Sequence, residues 1–461
     1  MHNKGFKYIR TYRWGDKIGG LVGYTFNGES ICEDNTCEEQ LKTRVGIVED
    51  CYSDCEVEGD TCVGGLIGIA EGCTISNSGA SGNIIGKGAG VGGLIGYAVS
   101  GERGYEAEYC RKYVNTQDGI IENSYSDCNV NGSESVGGLV GLSEGYIIYN
   151  SATLGIITGS GDGIGGLVGY QLNGENRNRN VKEGWVRWMN THNGIIKHSN
   201  SQCKVNGNSS IGGLVGLAEG CIIDSSNASG SVSGEGSGIG GLVGYTVNAT
   251  VEKNDNEHNW KLNAGEGIIN KSSSSGEVYG NHVVGGLIGG LEGGKVINCY
   301  ASGNIESEGS YAGGLIGYTY GGEIDSEYTK ELQNVYIGNS YSIGNVKGYT
   351  SVGGFIGYLK DCVVDTSYSV GYVNSRDGAC VGGLIGCNIE SEVNRCYWDI
   401  DTSELLTSAG GIGKNTNQMK KKYRNSGDAF EGWDFIDIWD IIENDTYPYL
   451  RNNEPSPLPG L

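Results

Sequence analysis

Val63-Gly64-Gly65-Leu66-Ile67-Gly68, then Thr74-Ile75-Ser76-Asn77-Ser78, then Ala80-Ser81-Gly82-Asn83-Ile84-Ile85: this stretch decides the fold. It holds three short strand-like runs, broken at Gly, Asn and Ser, inside one unit of 28 residues. Gly-Gly-Leu-(Ile/Val)-Gly recurs at Gly19-Gly20, Gly64-Gly65, Gly92-Gly93, Gly137-Gly138, Gly165-Gly166, Gly212-Gly213, Gly240-Gly241, Gly285-Gly286, Gly313-Gly314 and Gly382-Gly383. Gly353-Gly354-Phe355-Ile356-Gly357 is a variant, making eleven copies. The spacings are 45, 28, 45, 28, 47, 28, 45, 28, 40 and 29, so long and short units alternate. Three strands per short unit fit one coil of a three-sided parallel β-helix. One coil cannot bury its apolar side, but stacked coils can, pairing backbone groups at ~4.8 Å. Eleven coils make a rod of ~50 Å. A propeller is the main alternative, but 28 residues is short for a four-stranded blade.

The expected class is therefore all-β: a parallel β-helix, or β-solenoid, of about eleven Gly-Gly-Leu-x-Gly coils. Residues 1–17 are expected as an N-terminal cap or truncated coil, 18–398 as the solenoid and 399–461 as a mixed C-terminal cap. In that cap 417–424 reads as a short helix, and the aromatics from Trp433 to Leu450 are placed over the last coil.

Composition narrows the function. The 461 residues include 84 glycines but only four prolines, without the three-residue period of collagen. A formal charge of −23 argues against nucleic acid and against an anionic membrane surface. No apolar run approaches the roughly 18 residues of a transmembrane helix. Only 19% of residues are charged, which argues against disorder.

Ile121-Glu122-Asn123-Ser124-Tyr125-Ser126 and, less fully, Val335-Tyr336-Ile337-Gly338-Asn339-Ser340-Tyr341-Ser342 follow the glycine strings. Together these resemble the GLUG motif. The C-terminal stretch, with Cys396-Tyr397-Trp398-Asp399, Gly432-Trp433-Asp434-Phe435 and Tyr447-Pro448-Tyr449-Leu450, resembles the usual ending of such arrays. The resemblance covers nearly the whole chain from about residue 18. It implies an extracellular or cell-surface location and an adhesion or scaffold role, as in adhesin-like proteins and in non-catalytic parts of IgA-specific metallopeptidases. It implies no active site. Two departures stand out. Residues 1–16 are basic but lack the apolar core of a signal peptide, which a mis-called start or a fragment of a longer exported protein would explain. Fifteen cysteines are also many for such an array.

The long units carry Tyr24, Tyr97, Tyr170, Tyr245 and Tyr318 after the glycines, then an insert. The short units turn at once through Glu71-Gly72, Glu144-Gly145, Glu219-Gly220, Glu292-Gly293 and Lys360-Asp361. Five insert loops are thus expected to stack along one edge, ~10 Å apart. Their aromatics, Tyr105, Tyr109, Tyr113, Trp185, Trp188 and Trp260, are the candidate ligand-facing residues, suited to a protein or glycan on another surface. The plainer alternative is that they pack on the neighbouring insert and shield the rod. The glutamate column reads as a solvated turn, since glutamates two coils apart do not converge on Ca²⁺.

No catalytic, cofactor or metal site is expected. Gly141-Leu142-Ser143-Glu144-Gly145 imitates a nucleophile elbow, but Ala70 and Ala218 occupy the position equivalent to Ser143. Three G-x-G-x-x-G matches, such as Gly88/Gly90/Gly93, precede strands and not helices. Two enzyme-linked alternatives stand behind the adhesion reading: the stalk of a larger exported enzyme, and a β-helix polysaccharide-cleaving enzyme. Cys55, Cys128 and Cys203 form one repeat column and Cys73, Cys221 and Cys362 another, both expected as buried thiols. Bridges, if formed, are expected among Cys32, Cys37, Cys51, Cys55, Cys62, Cys73 and Cys110. Lys4, Lys7, Arg10, Arg13 and Lys17 against Asp16 at one end, and seven acids in 428–445 at the other, allow head-to-tail self-association.

Overall fold

The computed structural model describes residues 9–12, 16–34, 38–43, 46–107, 110–180, 185–191, 193–254, 258–325, 329–453 and 458–460. The chain is a parallel β-helix. Three parallel ladders contain eleven strands each, and a fourth, longer ladder completes every coil. One short coil runs through Val63–Gly64, Ile67–Glu71, Thr74–Ser76 and Gly79–Gly86. Each strand pairs in parallel with its counterpart in the next coil, as Val63 with Val91, Ile67 with Ile95 and Ile75 with Ile121.

The three-strand coil expected from the sequence is thus corrected to four strands. The Gly-Gly-Leu-Ile-Gly string is not one strand but two, joined at a bend over Gly65 and Leu66. Each of its glycines answers a different approach. A Cβ on Gly64 would strike the carbonyl of Ile67 across the bend, and one on Gly65 the carbonyl of Gly93 in the next coil. A Cβ on Gly68 would meet the carbonyl of Gly23 in the preceding coil at 2.5 Å. None of the three has a left-handed φ. Space, and not backbone freedom, demands glycine here.

Leu66 occupies the bend with 0% exposure, as do Leu94, Leu139, Leu167, Leu214, Leu242, Leu287, Leu315, Phe355 and Leu384. Each such side chain contributes roughly 1.5–3 kcal/mol by burial. Ile75 and Ile84 face the same interior from the other ladders.

The Asn-Ser pair, in the coils that have one, also has a structural reason. The Asn turns the corner with a left-handed φ of 47° at Asn77, 50° at Asn123 and 46° at Asn150. The following serine is buried and bonds twice. Ser124 Oγ donates to the Glu122 carbonyl at 2.8 Å and accepts the Ser78 amide at 3.2 Å. Ser151, Ser199, Ser226 and Ser272 continue this ladder. Sγ of Cys299 and of Cys396 takes the donor role at the same position.

At the start, Ile9–Tyr12 pairs in parallel with Tyr52–Gly59, extending the fourth ladder by one strand. Of the cations on which self-association would rest, the side chains of Lys4, Lys7, Arg10 and Arg13 lie outside the described residues, and Lys17 is exposed, over the Tyr24 ring. At the other end, Ile412–Lys414 pairs with Tyr397–Asp399, and Gly383 donates to the Thr407 carbonyl, so 405–414 form a partial coil over the last full one. The segment beyond it does not sit on the open end, as expected, but folds back along the flank. Tyr300, Tyr341 and Tyr368 stack at 5.1 Å on the outer face of the fourth ladder, and Phe430, Trp433, Trp439 and Tyr447 cover them. Asn453 reaches the carbonyls of Ser272 and Asn298, far back along the rod. The helix is one turn, Thr416–Met419, with Asn415 and Gln418 in a capping box.

The cysteine columns are buried as expected: Cys55, Cys128 and Cys203 in one, Cys73, Cys221 and Cys362 in the other. The bridge is elsewhere. Cys380 and Cys387 form a disulfide in the last full coil, while Cys51, Cys55, Cys62, Cys73 and Cys110 are free thiols. Cys37 and the side chain of Cys32 fall outside the described residues.

Candidate binding surface

The inserts are not loops. Each is a β-hairpin, and the five hairpins join edge to edge into one ten-stranded antiparallel sheet. The second hairpin, Glu102–Ala107 and Cys110–Thr116, is bonded to the first through Gly28–Asp34 and to the third through Trp185–Asn190. Gly174–Asn180 of the third pairs with His258–Ala264 of the fourth, and Ala249–Asn254 with Thr329–Leu332 of the fifth. Geometry accounts for the alternation of long and short coils. A hairpin is two strands wide, ~10 Å, which is the height of two coils. A hairpin on every second coil therefore fills the sheet without gap or clash.

The hairpin roots are fixed by side chains from the coils. Tyr97 Oη donates to Glu144 of the next coil at 2.5 Å, and Tyr245 to Glu292 at 2.5 Å. Tyr24 with Glu71 and Tyr170 with Glu219 repeat the pair. The glutamate column is therefore not the solvated turn that the sequence suggests. Glu71 is 7% exposed and Glu292 9%. Burial raises the carboxyl pKa of Glu144, and burial beside that carboxylate pushes the Tyr97 hydroxyl well above its usual range. Arg103 of the second hairpin closes on Glu71 at 2.5 Å. Asn27, Asn173 and Asn248 each donate to the glycine carbonyl of the facing Glu-Gly turn, and Thr43, Thr116 and Thr191 each accept the amide that opens a hairpin.

The sheet has two faces, and the candidate aromatics divide between them. Tyr113 and Trp188 meet on one face at 5.9 Å, with the Trp188 indole lying over Gly104. Tyr105 and Trp185 meet on the other at 6.4 Å. Trp260 pairs in register with Asn178, hence on the Tyr105 face, and its side chain lies outside the described residues, as does Tyr109 entirely. The same face carries Arg103, Val114 and Leu262, the last two buried near the roots. From Arg103 and Val114 outward it forms a groove of about 440 Å³ lined also by Tyr105, Lys112, Asn178, Arg187 and Met189, among others. Arg187 stacks on Tyr105 at 5.5 Å and on Trp185 at 5.2 Å. Tyr105 with Trp185 and Tyr113 with Trp188 thus pack on neighbouring hairpins, as in the plainer alternative, and Tyr105 and Trp188 also line the groove. Lys112, Asn178 and Arg187 were not singled out from sequence. The alternation within 102–107 and 110–116 was the available signal.

The Ser143 side chain points into the rod and is fully buried. Among the described residues, no three His, Cys, Asp or Glu side chains group as a metal ligand set.

The family model of the GLUG motif matches residues 59–85, 207–233 and 280–306. The chain carries GLUG repeats. In each match the leading residues are the fourth-ladder strand end, the glycine bend follows, and the left-handed corner comes after it, at Asn77-Ser78, Ser225-Ser226 and Asn298-Cys299. Two relatives are similar to this chain. A putative Gly-rich membrane protein of Evansella cellulosilytica is 34% identical over 120 residues, 24% of this chain and 13% of that protein. Halomucin of Haloquadratum walsbyi is 26% identical over 333 residues, 69% of this chain and 3% of that protein. The chain thus spans a small part of either relative. No solved structure matches it.

Proposed function

We propose that this GLUG chain is a non-enzymatic β-solenoid of the cell surface or the secreted space that serves adhesion or acts as a spacer. The insert sheet is its contact surface. One observation carries the reading: five hairpins, separated by whole coils in sequence, unite into a single sheet with a groove of aromatic, cationic and amide side chains. Rigid scaffolds place binding groups on such excursions. The name of the Evansella relative, a membrane protein, supports a surface location. Among the described residues no helix is long and apolar enough to cross a membrane.

Replacing all five hairpins by the short Glu-Gly turn tests the reading. The expected result is a rod with unchanged parallel-β circular dichroism that no longer binds cells or glycan arrays. Undiminished binding refutes the assignment of the sheet. No reducing sugar is expected from acidic polysaccharides incubated with the intact chain, and release would favour the cleaving enzyme instead.

A further inference from the structure

We propose that the Tyr105 face of the insert sheet binds an acidic glycan, one that carries carboxylate or sulfate at disaccharide intervals and lies along the rod. The proposal rests on the reading of the sheet as contact surface and adds the class of ligand.

Register places Lys112, Tyr105, Arg187 and Asn178 in one row across four adjacent strands, and the row continues through Trp260 and Lys253. The row crosses the hairpins in coil order, so it runs along the rod. Lys112 and Arg187 stand two strands apart, about 10 Å, the length of a disaccharide. Tyr105 lies between them and offers an aromatic face to a sugar ring.

Charge favours an anion. The chain has a formal charge of −23, and several of its other surface cations meet carboxylates, as Arg111 meets Glu106, Lys261 meets Glu252 and Arg376 meets Glu308. Among the described residues Lys112 and Arg187 have no carboxylate partner. Arg187 is instead held between two rings, which fixes its guanidinium before any ligand arrives. Asn178 Oδ1, which has no hydrogen-bond donor among the described residues, lines the same groove and suits a sugar hydroxyl. Two cations at this spacing fit a sparse polyanion. The dense phosphates of a nucleic acid would meet the acidic remainder of the chain.

Titration calorimetry of the full chain with polygalacturonate, chondroitin sulfate and neutral dextran tests this. Either acidic polymer is expected to bind, with affinity falling as salt rises, and dextran is not. The stronger of the two acidic polymers identifies the anion. The double variant Lys112→Ala/Arg187→Ala, at exposed positions, is expected to lose about tenfold in affinity with unchanged circular dichroism, while Lys112→Arg/Arg187→Lys retains binding. Dextran binding equal to that of the acidic polymers, or full affinity in the alanine variant, overturns the proposal. So does the absence of acidic-glycan binding in a chain whose cell adhesion still depends on the hairpins, and in that case the contact-surface reading stands. Binding of acidic peptides in preference to both polymers also overturns it.

Discussion

Gly92 and Gly378 show how differently one residue type works in this chain. A Cβ on Gly92 would press on the Ile95 carbonyl inside the bend and lie 2.6 Å from the Gly141 amide of the next coil. Gly378 has a left-handed φ of 74° and nothing within 4 Å of its missing Cβ. Gly92→Ala is therefore expected to cost about 3 kcal/mol or more through backbone displacement. Gly378→Ala is expected to cost about 1 kcal/mol, for φ alone. Denaturant midpoints of the two variants check the ranking. The Tyr97–Glu144 pair makes a second prediction at this scale. Tyr97→Phe leaves a buried carboxylate without its donor and is expected to cost about 1–3 kcal/mol. Both partners have pKa values raised in the folded state. Their contributions are complete below the unfolded values, near 10 for tyrosine and 4.5 for glutamate, and are lost as pH rises through the folded values. Relative to wild type, Glu144→Gln should thus gain stability from acid to neutral pH. Above pH 10 the buried tyrosines Tyr146, Tyr341 and Tyr368, and the half-buried Tyr97 on its carboxylate, should ionise only with cooperative unfolding, visible as tyrosinate absorbance that rises together with the loss of circular dichroism.

Among the elements, the solenoid strands are the part a sequence reader can find, because every coil repeats the same packing demand. Glycine spacing, buried leucines and the Asn-Ser corner all recur in register, so the coil count and the insert positions are legible. The bend inside Val63-Gly64-Gly65-Leu66-Ile67-Gly68 is not legible, since a buried apolar run reads as a continuous strand whether or not it folds over. The hairpins escape for another reason. Their pairing partners lie in other hairpins, and 102–107 or 174–180 alone shows polar alternation with no apolar face to betray a sheet. The Glu71 column looked solvated because its partners, Tyr24 and Arg103, come from another coil and another hairpin. The C-terminal aromatics were recognised as a cover but not the tyrosine stack beneath them, although Tyr341 and Tyr368 sit at equivalent repeat positions. The cysteine columns give a prediction at this scale. Burial raises the thiol pKa of Cys128 to about 12, and likewise those of Cys299 and Cys396. The eight buried free thiols should resist a thiol reagent until denaturation, whereas Cys51 and Cys110 react in the folded chain. Mass mapping of labelled peptides checks this.

For the whole molecule, the match between one hairpin and two coils is the organising relation. It turns a rod with five excursions into a rod with one added sheet, and the groove with its cations exists only because neighbouring hairpins join. Disulfide trapping across two hairpins measures this directly. Glu106 and Val186 are partners in register although they belong to the second and third inserts. In the variant Glu106→Cys/Val186→Cys, oxidation should give an intramolecular crosslink in high yield without loss of circular dichroism, while a control pairing Glu106→Cys with Asn263→Cys should not crosslink. If the first pair stays reduced, or links only between molecules, the hairpins do not form one sheet and the account of the contact surface fails.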